Sequence, residues 1–214
     1  MNEQDIQKIR QDYTKHSLDE SEVDRNPFKQ FIIWFQEAIE AQVMEPNAFT
    51  LGTVDSSNKP HTRILLLKGL EGELFKFYTN YASDKGAEIE SNNNVSMCFF
   101  WGELERQVRV DGVASKLSFE ESDAYFRSRP HLSQVGAHAS DQSSEVPNRE
   151  FLDQKFQEKL ALFKNGKVDK PDTWGGYGIK ANYLEFWQGR PGRLHDRIVY
   201  ELVQGNWKLK RLSP

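Results

Sequence analysis

The 214-residue sequence holds a single cysteine, Cys98. An internal disulfide and a cysteine-rich metal site are thereby excluded. Cys98 lies in Val95-Ser96-Met97-Cys98-Phe99-Phe100, where a small, buried, apolar role is expected rather than that of a nucleophile. The five histidines (16, 61, 131, 138 and 195) lack zinc-ligand spacing, so no metal is expected. Excess positive charge is absent: 28 Lys and Arg against 32 Asp and Glu leave a net charge of -4. That balance argues against a sequence-blind nucleic-acid binder, which needs a basic footprint. Long apolar runs are missing as well, the longest (residues 31–35) being far too short to cross a bilayer. Asp5, Lys8, Arg10 and Asp12 stand where a secretory signal would need an apolar core, and a cytoplasmic protein is expected. Neither a P-loop nor Gly-x-Gly-x-x-Gly between strand and helix occurs, so a nucleotide-like cofactor would not be held in the Rossmann manner. Internal repeats and low-complexity tracts are also absent.

Apolar residues at 37% and charged residues at 28% suit a water-soluble chain long enough to bury a sizeable core. Residues 1–25 are polar and read as a mobile N-terminal arm, with 26–214 as a single domain. Asn26-Pro27 reads as a helix cap followed by proline in the first turn, and Phe28, Phe31, Ile32, Phe35 and Ile39 form one apolar stripe. Strands are expected at 48–54, 62–68 and 74–79, with turns at 55–60 and 69–72. A short helix from about Ser83 precedes strands near 95–101 and 106–115. Ser118 and Glu121 have capping-box spacing for a helix containing Ala124, Tyr125 and Phe126, and 148–164 is a second helical pattern. Four strands follow, at 176–180, 183–187, 197–203 and 207–212, the last two joined through Gly205-Asn206. Short strands in a meander with inserted helices predict a mainly β, mostly antiparallel barrel with peripheral helices, not a parallel doubly wound sheet.

The densest chemistry lies in residues 184–197, which hold Trp187, Arg190, Arg193, His195, Asp196 and Arg197. A tryptophan face and several guanidinium forks suit an anionic, aromatic ligand. A hairpin whose charges face water would use the same residues. Arg63 and Lys68 bracket an apolar run and are five apart, so a regular strand would turn them to opposite sides. Such parity fits two different anions, or two solvated strand-end charges.

Glu185-Phe186-Trp187-Gln188-Gly189 followed by Arg193-Leu194-His195-Asp196-Arg197 closely resembles the C-terminal signature of the pyridoxamine 5'-phosphate oxidase family. The resemblance extends from Arg10 to residues 211–214. It implies an FMN-binding split β-barrel working as a homodimer, with two FMN molecules in the subunit interface. Residues 63–68 resemble the family's flavin strand: Arg63 would meet the FMN phosphate, Ile64, Leu65, Leu66 and Leu67 the flavin ring, and Lys68 the substrate phosphate. The same resemblance adds Tyr78, Thr79, Lys85, Gln107, Gln142, Ser143, Trp187 and Arg197 to the cofactor set. Tyr125, Arg129 and Ser133 would join Lys68 around the substrate phosphate, Arg10 and Tyr13 would close over the substrate, and Arg193 with His195 would flank its pyridine ring as the expected catalytic pair. One departure is Asp84, where the family commonly has a base. Either Asp84 points away from the FMN phosphate or phosphate binding is weaker here.

The activity implied is FMN-dependent oxidation of pyridoxamine 5'-phosphate or pyridoxine 5'-phosphate to pyridoxal 5'-phosphate, with O2 as acceptor and H2O2 as product. Two alternatives stay open. One is a split-barrel flavin oxidase acting on another aromatic substrate, such as a phenazine precursor, and the other is a non-enzymatic flavin or pyridoxal phosphate carrier.

Overall fold

The first long helix begins at the Asn-Pro pair. Asn26 Oδ1 accepts from the backbone N–H groups of Phe28 and Lys29, and Pro27, which has no N–H to satisfy, sits in the first turn. This helix, α2 (Pro27–Glu40), follows a single-turn α1 (Glu3–Gln7). The structure, a computed structural model, describes residues 2–9, 12–164 and 166–214. Its further elements are β1 (Ala48–Val54), β2 (Pro60–Leu66), β3 (Gly69–Glu71), β4 (Leu74–Asn80), α3 (Asp84–Ser91), β5 (Asn94–Trp101), β6 (Arg106–Lys116), α4 (Phe119–Ser128), α5 (His131–Ala139), α6 (Arg149–Leu162), β7 (Trp174–Gln188), β8 (Asp196–Val203) and β9 (Asn206–Arg211). The strands follow the hydrogen-bonded path β2-β1-β5-β6-β7-β4-β3, with β8 on β7 and β9 on β8. The pairs β3–β4, β4–β7, β7–β8 and β8–β9 are antiparallel. Two compact units share the chain, one made of Met1–Thr50, Ser96–Asp111 and Asn182–Pro214, the other of Leu51–Val95 and Gly112–Ala181.

In the first unit α2 supplies the core with Phe28, Phe31, Trp34 and Ala38. Phe31 meets Phe99 edge-on at 5.1 Å, and Trp34 meets Phe186 at 5.2 Å. The expected stripe is thus corrected: Ile32 and Ile39 are about half exposed, while Trp34 and Ala38 carry the buried face. Arg106 lies over the Trp34 ring at 4.4 Å and pairs with Glu37. Within residues 12–25, read from sequence as arm, Leu18 and Val23 are buried. The Leu18 N–H donates to Asp196, and the Tyr200 hydroxyl donates to the Asp24 carbonyl. Cys98 is half-buried rather than buried, because it stands on the face of β5 opposite Met97 and Phe99.

The second unit is built on β4 and the first half of β7, where Phe75 and Phe77 are fully buried and Phe77 pairs in register with Tyr177. The capping box of α4 forms as its spacing predicts, Ser118 accepting from the Glu121 N–H and Glu121 from the Ser118 N–H. A satellite core of Phe126, Val135, Val168 and Trp174 joins α4 and α5 to the start of β7.

Local readings change in five places. β2 ends at Leu66, two residues early. Residues 69–71 form β3 rather than a turn, and the tight turn is Gly72-Glu73, both at positive φ. Helix α5 was not expected. The separate strands at 176–180 and 183–187 are one strand of 15 residues, since the alternation continues through buried Ile179 and Ala181 and exposed Lys180 and Asn182. The last hairpin turns at Gln204-Gly205, φ +50° and +79°, one residue before the expected pair.

Candidate active site

In the second unit, the ends of β2 and β4 and the helices α4 and α5 enclose a cavity of ≈ 660 Å³. Ile64, Leu65, Leu66 and Lys68 line it from the β2 end, Tyr78, Thr79 and Asn80 from β4, and Tyr125, Arg129 and Ser133 from the helical side. Trp174 and Gln142 complete the polar and aromatic lining. Tyr78 and Tyr125 stack face to face, centroids 3.9 Å apart, and Trp174 lies nearly parallel to both. The guanidinium of Arg129 rests over the Trp174 ring at 4.7 Å.

Arg129 is the odd member of this wall. Its Nη1 is buried and has no hydrogen-bond partner, and burial lowers the pKa of the guanidinium. A buried N–H group without an acceptor costs free energy that the fold must offset elsewhere, and an anion in the cavity would remove that cost. Ser133, in the first turn of α5, lines the same wall, as does Lys68, whose side chain is exposed. Tyr125 precedes Arg129 by one helical turn, so both reach the cavity from the end of α4.

A second cationic group lies at the start of α3. Lys85 is buried, and its ammonium donates to Thr79 Oγ1 at 3.2 Å, Ser83 Oγ at 3.2 Å and Gln142 Oε1 at 3.3 Å. No carboxylate pairs with Lys85 among the described residues, and burial, helped by the charge of Arg63, pushes its pKa down. Arg63 is held differently. It donates to Thr53 and forms a 2.9 Å ion pair with buried Glu88 on α3. Arg63 does not line the cavity while Lys68 does, and Leu67 is buried. Lys68 lies beyond the end of β2, so the strand parity argument stops short of it. Asp84 is exposed in the first turn of α3, and Ser143, at φ +73°, accepts the Asp84 backbone N–H on its hydroxyl.

The remaining candidates belong to the first unit. Tyr13, Trp187 and His195 form an aromatic cluster, with Tyr13 5.6 Å from Trp187 and 5.7 Å from His195, and His195 4.7 Å from Trp187. Gly189 makes room for Tyr13: a Cβ there would fall 2.6 Å from the tyrosine ring. His195 Nδ1 accepts the Arg190 N–H at 3.1 Å, which leaves the proton of a neutral imidazole on Nε2. Burial and the neighbouring Arg193 hold the His195 pKa below its ordinary value. Arg193, at φ +65°, follows Gly192 in a short 3-10 turn. Gln107 is half-buried on β6. Arg197 stands opposite Trp187 in the β7–β8 register, forked onto Glu185. Arg10 lies outside the described residues.

Sequence reasoning missed Trp174, Glu88 and Glu185. Trp174 carried no signal, being 45 residues from Arg129 in sequence. Glu185 stood inside the signature segment, where its outward neighbours drew the attention.

The fold has solved counterparts. A structure of PhzG from Burkholderia lata 383, in complex with tetrahydrophenazine-1-carboxylic acid, is similar with a TM-score of 0.86 and 29% identity, over 91% of this chain and 95% of that one. A pyridoxamine 5'-phosphate oxidase-related, FMN binding protein from Nostoc punctiforme shares the fold at TM-score 0.71 and 13% identity, over 88% of this chain and 98% of that one. The strand path is that of the split β-barrel, the fold of these flavin-binding relatives. Residues 35–162 match the family model for pyridoxamine 5'-phosphate oxidase, and residues 174–214 the pyridoxine 5'-phosphate oxidase C-terminal dimerisation region. Relatives named pyridoxine/pyridoxamine 5'-phosphate oxidase include one from Bacteroides thetaiotaomicron, 49% identical over 98% of this chain and 99% of its own length. Another, from Cyanothece sp., is 47% identical over 98% of each. The chain belongs to the pyridoxamine 5'-phosphate oxidase family and is an oxidoreductase.

Proposed function

We propose that the protein oxidises pyridoxamine 5'-phosphate or pyridoxine 5'-phosphate to pyridoxal 5'-phosphate as a homodimer that uses FMN and O2. The observation that carries this reading is Arg129: a half-buried guanidinium whose Nη1 is buried and unpartnered, set in a cavity wall beside Lys68, Tyr125 and Ser133. That donor set suits a phosphate, whose oxygens accept from a fork, an ammonium and two hydroxyls at once. A phenazine-type carboxylate could pair with Arg129 but has too few oxygens to engage Lys68, Tyr125 and Ser133 as well, which disfavours the PhzG-like alternative.

The residues also fit a flavin phosphate. Lys85 is a buried cation held only by neutral oxygens, and the N-terminus of α3 beside it favours an anion. Arg63, Lys85, Thr79, Gln142 and Ser143 would hold FMN at its phosphate end, and the chain from Ile64 to Leu67, with Tyr78, would hold its ring; Gln107, Trp187 and Arg197 of the first unit are ring contacts that the family resemblance implies for the dimer. FMN, when bound, supplies the hydride acceptor and passes the electrons to O2. The protein's part is position. Arg129, Lys68, Tyr125 and Ser133 anchor the substrate phosphate, converting remote binding energy into orientation of C4'. Arg193 and His195 hold the pyridine ring on its other face, the neutral imidazole offering its Nε2–H, and Tyr13 closes over the substrate, a role that the family resemblance extends to Arg10.

Purified protein supplied with pyridoxine 5'-phosphate and FMN should consume O2 and produce pyridoxal 5'-phosphate and H2O2 in equal amounts. Oxygen uptake that is no faster than with FMN alone would defeat the proposal, and turnover of dephosphorylated pyridoxine at the same kcat/KM would defeat the phosphate assignment.

A further inference from the structure

Glu185 is the most deeply buried carboxylate in the first unit's outward cluster, its side chain 3% exposed, yet no role in ligand binding falls to it. It accepts Nε of Arg197 at 3.0 Å and Nη2 of Arg197 at 2.9 Å, a fork-to-fork pair. The Tyr183 hydroxyl donates to it at 2.9 Å, and Arg109 lies 3.6 Å away. Burial alone would raise the Glu185 carboxyl, but hydrogen bonds from Arg197 and Tyr183 outweigh it and keep the carboxylate charged. Burial, helped by the same carboxylate, pushes the Tyr183 phenol up to about 12. Arg197 Nη1 donates to the Ser213 carbonyl at 2.9 Å. Three of the five guanidinium N–H groups are thus committed inside the chain, which fixes the plane of the group and leaves one N–H on each Nη. Trp187 stands two residues beyond Glu185 and directly opposite Arg197 in the ladder, so all three share one face of β7–β8. Arg109 shares the half-buried face of β6 with Gln107.

We propose that Glu185 is a positioning residue for the oxidoreductase reaction: it locks Arg197 against the flavin ring and, by partly neutralising that cation, sets the flavin's reduction potential. The inference rests on the reading of Arg197 as a flavin-ring contact. Its physical basis is that reduction adds electron density to the ring, so an uncompensated cation beside it favours the reduced form and a compensated one favours it less. The cluster holds two guanidiniums, Arg197 and Arg109, around Glu185, with Asp111 3.5 Å from Arg109 on its outer side. Removing either sign of charge should therefore move the potential in opposite directions.

The test is the two-electron midpoint potential of the FMN-loaded protein, measured by reductive titration with reference dyes. Oxidised FMN binding to the apoprotein is followed in parallel by fluorescence quenching. Glu185→Gln keeps one hydrogen bond to Arg197 and loses the charge. It should bind reduced relative to oxidised flavin about tenfold more tightly, a rise of roughly 30 mV for a two-electron couple. Arg109→Gln, at a more exposed residue, should lower the potential, and it decides the sign if Glu185→Gln fails to fold. Arg197→Lys should change both the potential and the FMN dissociation constant. If Arg197→Lys shifts them while Glu185→Gln and Arg109→Gln both leave the potential of the parent, Glu185 is a structural partner only and the proposal is overturned. If Arg197→Lys itself changes neither quantity, Arg197 is no flavin contact, and the proposal falls together with that reading.

Discussion

At the scale of single residues, the site is organised by cations that the fold leaves short of counter-charge. Arg63 and Arg197 each have a buried glutamate, whereas Lys85 meets only neutral oxygens and Arg129 keeps a bare Nη1. Arg129→Ala should raise KM for pyridoxine 5'-phosphate by roughly 10–100-fold, the equivalent of about 1.5–3 kcal/mol for a charged hydrogen bond, with kcat much less affected. Arg193→Ala and His195→Ala should lower kcat as well in flavin-loaded protein, and steady-state kinetics separate the two roles. Parent-like turnover in both variants would make the signature segment structural. His195 also has a stability consequence. Its folded pKa lies below the ordinary value, so the unfolded chain takes up the proton first as pH falls. The contribution of the neutral imidazole is therefore complete above the unfolded pKa of about 6.5 and is lost as pH drops through it towards the folded value. His195→Gln should flatten that part of the stability profile, which thermal melts between pH 7.5 and pH 5 would reveal.

Elements hold these residues in place by local devices. Helix α4 brings Tyr125 and Arg129 to the cavity, and its start is fixed by the Ser118–Glu121 box and by Lys76, which bridges Glu121 and Glu71 at 2.7 Å each. Ser118→Ala should cost about 1 kcal/mol in a denaturant melt, as losses of helix caps do. Strand β7 works by lacking side chains: a Cβ at Gly176 would stand 2.6 Å from Leu117 and 2.7 Å from the Tyr78 ring. Gly176→Ala should displace Tyr78 from its stack on Tyr125, weakening both stability and substrate affinity, and a variant that melts and binds like the parent would show that Leu117 and Tyr78 yield freely. The capping box and the Asn-Pro start were legible because their partners are three residues away or fewer. Helix α5 was not, because its proline cap offers no side-chain acceptor and its buried face is only Val135 and Ala139, Leu132 being exposed.

At the scale of the molecule, residues 174–214 match a dimerisation region, and they include all of β7, β8 and β9. The reading of FMN in a subunit interface predicts linked equilibria. On dilution, FMN release and dimer dissociation should follow the same concentration dependence, checked by flavin fluorescence and analytical ultracentrifugation on the same samples. FMN retained by a monomer would separate the two. Among the described residues no helix is long and apolar enough to cross a membrane. The family was readable in the sequence because its signature is contiguous: a tryptophan, two spaced arginines and a histidine within eleven positions are chemistry written in one dimension. The mostly antiparallel character was readable too, since a meander of short strands joined by turns is a property of neighbours along the chain. What only the tertiary structure decided is which of the cations are compensated. Arg63 and Glu88 are 25 residues apart, Arg197 and Glu185 lie on different strands, and the ring beneath Arg129 is supplied by Trp174 from a distant part of the chain. A charge acts through distance and burial, and neither is a property of sequence position.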